Sequence, residues 1–169
     1  MNYQYDKRVI LTLDAGGTNF VFSAMQSSQQ IVQPFALPAM AHDLDLCLGQ
    51  IVKGFDMVKS QLSVEASAIS FAFPGPADYE NGIIGDLPNF PSFRGGVALG
   101  PYLQRKFGIP VFINNDGSLF AYGEAMAGAL PLVNKRLGEA GSPKRFKTLL
   151  GITLGTGFGG GVVINGNLL

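Results

Sequence analysis

The chain has 169 residues, 47% of them hydrophobic, and its 12 Lys and Arg balance 12 Asp and Glu. That is enough apolar material for one core or a small pair of domains, and the neutral balance favours neither a nucleic acid nor an anionic membrane as partner. The lone Cys47 excludes an internal disulfide and a cysteine zinc cluster within the chain. No apolar segment precedes Lys7-Arg8, and no apolar run reaches the roughly eighteen residues of a membrane span. A soluble cytoplasmic protein is expected.

In chain order the pattern is α/β. Val9 to Leu13 reads as a buried strand, and Phe20 to Met25 as a second. Ser27 to Gln30 is a polar turn; Ile31 to Leu37 is a third strand, which Pro34 places at an edge. Two hairpins in succession predict a β-meander rather than a βαβ unit. His42-Asp43 opens a helix to about Ser60, with Leu44, Leu48, Ile51, Val52, Phe55 and Val58 drawing one apolar stripe. Ala68 to Phe73 is a strand that ends at Pro74-Gly75-Pro76. Val97 to Phe107 is a helix that Gly108 closes as a left-handed cap, with Pro110 just beyond.

Val111 to Ile113 is a short strand. Asn114-Asn115-Asp116 then caps a helix from about Gly117 to Ala129, since Asn and Asp oxygens accept the unpaired N–H groups of a first turn. Pro131 to Ala140 is a further helix, and residues 135 to 147 carry the densest positive charge. Thr148 to Thr153 and Gly161 to Ile164 are strands, with a hairpin turn at Asn165-Gly166. Strand, glycine loop, strand thus occurs at both ends of the chain.

Those two loops are the most informative feature. Asp14-Ala15-Gly16-Gly17-Thr18-Asn19 and Leu154 to Gly161 each follow an apolar strand, and glycine lets backbone N–H groups approach an anion closely. A carboxylate at the first suggests a nucleotide's phosphates and metal held between two hairpins. Gly155-x-Gly157-x-x-Gly160 also satisfies a dinucleotide fingerprint. That motif requires a helix after the glycines, and a strand is predicted here. No G-K-[ST] occurs, which removes a Walker loop. A plain hairpin without ligand stays open, although strand glycine costs about 0.5–1 kcal/mol per position.

The first loop resembles the phosphate motif of the actin-like ATPase superfamily, and the chain more narrowly resembles the ROK family of repressors and sugar kinases. Four more segments agree in order: Phe73-Pro74-Gly75-Pro76 with Asn81-Gly82, Leu87-Pro88-Asn89-Phe90, Asn115-Asp116 leading to Gly123-Glu124, and Thr153 to Gly161. The resemblance implies an α/β, ribonuclease H-like lobe with an N-terminal β-meander, mixed sheet and flanking helices over residues 1–115. Residues 116–169 would be the start of a truncated second lobe.

It also implies an ATP-dependent hexose kinase of glucokinase or fructokinase type. Asp116 would be the general base on the sugar hydroxyl, which suits phosphoryl transfer, where positioning and charge neutralisation dominate. Asp14 would hold Mg²⁺ through water. Gly16, Gly17, Thr18, Asn19, Gly155, Thr156 and Gly157 would face the phosphates, while Gly75, Asn89, Asn115 and Asp116 would meet the sugar. On local sequence alone, Asp116 reads first as a helix cap, and only the other motifs reverse that; Asp14 can also be read as a turn residue and both asparagines as turn formers.

Departures from the family pattern matter too. The Glu-x-x-Gly-His segment and the cysteine-rich zinc motif that follow the second loop in the family are missing, so structural zinc is expected only beyond Leu169. The expectation is a fragment, or a chain that ends early, unable to assemble a complete adenine and sugar site. A sugar-sensing or scaffold module without catalysis is the alternative. A repressor is disfavoured, because the thirteen residues before Asp14 leave no room for a DNA-binding domain. Apolar surface left uncovered should make the chain self-associate as a homo-oligomer.

Overall fold

A computed structural model describes residues 5–154 and 158–169. The chain divides into two compact units, Met1–Ile113 and Asn114–Leu169.

In the first unit, β1 (Ile10–Ala15) and β2 (Asn19–Gln26) pair antiparallel from Ile10–Met25 to Ala15–Phe20. Alternation then places Leu11, Leu13, Phe20, Phe22 and Ala24 on one buried face. The predicted third strand is instead two. β3 (Gln29–Gln30) and β4 (Phe35–Pro38) both pair with β2, and Pro34 lies in the break between them. The turn is only Ser27-Ser28, both at positive φ as a two-residue hairpin requires. The meander is present.

Helix α1 (Leu44–Lys59) starts where expected: Asp43 accepts from Leu46 N–H at 3.0 Å. It buries Cys47, Ile51, Gly54, Phe55 and Val58 against the β1–β2 face. Gly54 is needed there, since a Cβ would collide with the buried Phe22 ring. β5 (Ala68–Ala72) pairs parallel with β1, and β8 (Val111–Asn114) closes the order β3-β2-β1-β5-β8. The sheet is mixed, as expected.

Between β5 and β8 lie a small hairpin, β6 (Ala77–Asp78) and β7 (Ile83–Ile84), a 3-10 turn at Pro91–Phe93, and α2 (Leu99–Phe107). Helix α2 begins two residues later than predicted, because Val97 exchanges two 2.8 Å backbone bonds with Ile84. Gly108 does close it in the left-handed region, at φ 69°. Phe20, Phe73, Phe90 and Phe93 join in one aromatic cluster of the core.

In the second unit, α3 (Asp116–Met126) ends three residues early and α4 (Ala129–Glu139) starts two residues early. The Glu124 carboxylate accepts from Ala129 N–H at 2.7 Å and ends one helix by capping the next. Pro131 then falls in a first turn, where its missing N–H costs nothing. β9 (Thr148–Leu154), β10 (Phe158–Ile164) and β11 (Asn167–Leu168) form an antiparallel sheet in the order β11-β10-β9.

β10 takes in Phe158 to Gly160, which the sequence reading assigned to the loop, ahead of the predicted strand start at Gly161. Helix α3 lies on the glycines of this sheet. A Cβ at Gly161 would sit 2.9 Å from Ser118 Cα, and one at Gly151 would sit 2.6 Å from Ala121 Cβ. Gly151 and Gly161 therefore serve close helix–strand approach. Among the described residues no helix is long and apolar enough to cross a membrane.

Candidate functional site

The first unit supplies one set of predicted residues. Asp14, exposed near the end of β1, is paired in register with Val21 and Ala72. Gly16 N–H donates to Asn19 O at 3.1 Å, so Gly16, Gly17 and Thr18 form a tight loop at the strand ends. Thr18 O accepts from Ala39 N–H at 2.9 Å, which ties the loop to the segment before α1. All four loop residues from Gly16 to Asn19 are exposed.

Leu87-Pro88-Asn89-Phe90 is a second turn, closed by Phe90 N–H donating to Leu87 O at 3.1 Å. Leu87 and Phe90 are buried anchors, which presents Pro88 and Asn89 at an exposed tip. The two turns meet: a Cβ at Gly17 would lie 3.1 Å from Asn89 Cβ. The predicted phosphate loop and the predicted sugar-contacting asparagine are therefore neighbours on one rigid core. Glycine at 17 allows that approach.

The proline loop has a support that the sequence reading missed. Tyr79 Oη donates to Phe73 O at 2.9 Å, and a Cβ at Gly75 would lie 2.9 Å from Tyr79 Oη. Gly85 N–H donates to Pro76 O at 2.9 Å from the opposite side. A tyrosine three residues after a Pro-Gly-Pro turn was the available signal. Gly75 itself is exposed.

The second unit holds the other set. Asn115 is the N-cap of α3, its Oδ1 accepting from Ser118 N–H at 3.2 Å. The cap is thus Asn115 alone, and Asp116 is released from that duty. Asp116 is exposed in the first helical turn, with Oδ1 accepting from Gly117 N–H at 2.9 Å. Oδ2 carries no hydrogen bond among the described residues. A Cβ at Gly117 would lie 2.5 Å from Gly160 N, so the start of α3 is pressed onto β10. Gly155, Thr156 and Gly157 lie outside the described residues.

Metal ligation is limited. Among the described residues no group of three or more His, Cys, Asp or Glu side chains could hold an ion. Asp14 as a single exposed carboxylate fits Mg²⁺, which keeps most of its waters and takes its other ligands from phosphates. Cys47 is fully buried in the α1 face, and that burial pushes its thiol up to about 11, away from the thiolate a metal needs.

Residues 10–169 match the ROK family pattern. The chain belongs to the ROK family. It is 68% identical to a crystal structure of glucokinase from Parabacteroides distasonis, with a TM-score of 0.92 over 100% of this chain and 48% of that one. It is 29% identical to the glucokinase of Thermotoga maritima over 96% of this chain and 47% of the relative. It is 31% identical to an N-acetyl-D-glucosamine kinase of Photobacterium profundum over 92% of this chain and 46% of the relative. This ROK chain therefore has the α/β fold of the actin-like ATPase kinases and spans about half the length of the relatives it matches.

Proposed function

We propose that this chain carries the sugar-positioning and first phosphate-binding half of an ATP-dependent hexose kinase, with glucose as the first substrate to test. Residues 1–115 would be its N-terminal ATPase-type lobe and residues 116–169 the start of its second lobe. The observation that supports this most is the 68% identity over the whole chain to the Parabacteroides glucokinase, with both predicted carboxylates exposed.

Asp116 accepts the proton of the attacking sugar hydroxyl on Oδ2, while the Gly117 N–H steadies Oδ1. Asn89 orients the sugar from its exposed tip, since an amide can both donate and accept. Gly75 lets the proline loop approach the ring, and Asn115 borders the same hydroxyl. The N–H groups of Gly17, Thr18 and Asn19 receive phosphate oxygens, while Gly16 serves by closing the loop through its own N–H to Asn19 O, and Gly155, Thr156 and Gly157 receive them from the second loop. Asp14 would hold Mg²⁺, which would supply charge neutralisation on the transferred group. The setting is cytoplasmic.

The test is a chimaera in which residues 1–169 replace the matching half of the Parabacteroides glucokinase. ATP-dependent phosphorylation of glucose is expected, and Asp116→Asn should lower kcat by about 10²–10⁴-fold. A folded chimaera without hexose kinase activity, or one indifferent to Asp116→Asn, would overturn the reading.

A further inference from the structure

The loop after β5 is poor in backbone donors. Pro74 and Pro76 carry no N–H, so Phe73-Pro74-Gly75-Pro76 has little with which to hold itself. Its carbonyls are held from outside instead. Tyr79 Oη donates to Phe73 O at 2.9 Å, and Gly85 N–H donates to Pro76 O at 2.9 Å. Tyr79 directly follows β6 and Gly85 directly follows β7, so both donors come from the small hairpin. Of the two, only Tyr79 acts through a side chain.

Tyr79 is itself anchored. Its ring is half-buried against the core of the first unit. The turn that carries it is closed by Gly82 N–H on Tyr79 O at 3.3 Å. Asn81 adds its N–H and Nδ2 to the Asp78 carboxylate, at 3.1 and 2.8 Å. Gly100 N–H donates to Gly82 O at 2.9 Å, which docks the turn on α2. Tyr79 thus stands as a strut between a fixed hairpin and a loop whose Gly75 and Pro76 are exposed.

The strut is fitted to the glycine in front of it. A Cβ at Gly75 would meet Tyr79 Oη at 2.9 Å, whereas the next atoms, Ala77 N and Tyr79 Cζ, lie at 3.6 and 3.7 Å. Those longer separations are ordinary van der Waals contact, so the hydroxyl alone makes the approach too tight. Removing that oxygen would leave Phe73 O without this donor and give the loop room to sink.

We propose that Tyr79 is a positioning residue for the sugar site: its hydroxyl holds the Pro74-Gly75-Pro76 loop at the height where Gly75 meets the hexose. The proposal rests on the hexose kinase reading above. Tyr79 touches neither substrate in it and acts through Gly75. A loop that holds the sugar alike before and during transfer affects KM rather than kcat.

The test is glucose kinetics in the chimaera described above, with Tyr79→Phe, Gly75→Ala and the double variant. Tyr79→Phe keeps the ring and its packing, so the fold should survive. It should raise KM for glucose roughly three- to tenfold, the size expected for one hydrogen bond, with kcat and the KM for ATP within about twofold. Gly75→Ala should raise KM for glucose by on the order of tenfold beside the hydroxyl, and by about twofold or less once Tyr79→Phe has removed it. Equal factors in the two backgrounds would overturn the proposal. So would a Tyr79→Phe effect carried by kcat or by ATP, or no effect at all. Glucose binding followed by calorimetry without ATP should repeat the pattern. An inactive chimaera that binds glucose in this Tyr79-dependent way would sink the kinase reading and leave the positioning role standing. A folded chimaera that neither binds nor phosphorylates glucose would sink both.

Discussion

Phe20 and Phe158 occupy corresponding places in the two units, one fully buried and the other 77% exposed. Local sequence treats them alike: each follows a glycine loop and opens a strand. What separates them is what arrives later in the chain. In the first unit, α1, β5 and the Leu87–Phe93 segment close over the meander. In the second, α3 covers only the opposite face, where Gly151, Gly161 and Val163 meet Ala121 and its neighbours. The lesson is that a phosphate-loop hairpin can hold its register with one face packed, whereas its burial depends on sequence-distant elements.

That difference can be broken by substitution. The largest effect is expected from Phe20→Ala, which empties the stack with Phe90 and the edge contact with Phe22. It should cost about 3–5 kcal/mol in denaturant unfolding. Next is Gly161→Val, whose side chain must displace the α3 backbone at Ser118. A loss of about 1–3 kcal/mol is expected, confined to the second unit and readable as faster hydrogen exchange in α3. Asn115→Ala should cost about 1 kcal/mol by removing the α3 cap. If Asp116 took over the cap, the loss would vanish and the division of labour between these neighbours would be wrong.

At the small end, Phe158→Ala should change stability by no more than about 0.5 kcal/mol in the 169-residue chain. A cost like that of Phe20→Ala would show that the two faces are equally packed. Smaller still is a pH effect at the clasp of the first meander. The Arg8 guanidinium hydrogen-bonds the Asp6 carboxyl and holds it at about 2 instead of 3.8. The pair's contribution is therefore full above the ordinary value and is lost as pH falls through about 2. Carboxyl NMR titration should show Asp6 moving back towards 3.8 in Arg8→Ala.

Much of this was legible in the sequence. The stripe from Leu44 to Val58, the Asp43 cap, Gly108 and the Asn165-Gly166 turn are local signals with local causes, and each appears in the structure as read. The small β6–β7 hairpin was not legible, because two-residue strands carry no periodicity. Nor was the exact place of the break between α3 and α4, which depends on Glu124 reaching Ala129. The glycine loops were half legible. Their position was clear, but Gly151 and Gly161 were left unexplained when helix packing requires them, and a Cβ at Gly160 would meet the Gly151 carbonyl of β9. At the candidate site, the types Asn115 and Asp116 were plain, while which one caps the helix required the backbone geometry.

The most direct test of the account is amide hydrogen exchange on the 169-residue chain, comparing β1 with β9. Because β1 is paired on both edges and β9 on one, amides along β1 should be protected throughout. Those on the outer edge of β9 should exchange orders of magnitude faster than their neighbours paired to β10. Uniform protection along β9 equal to that of β1 would contradict the claim that the second unit presents an open edge and face.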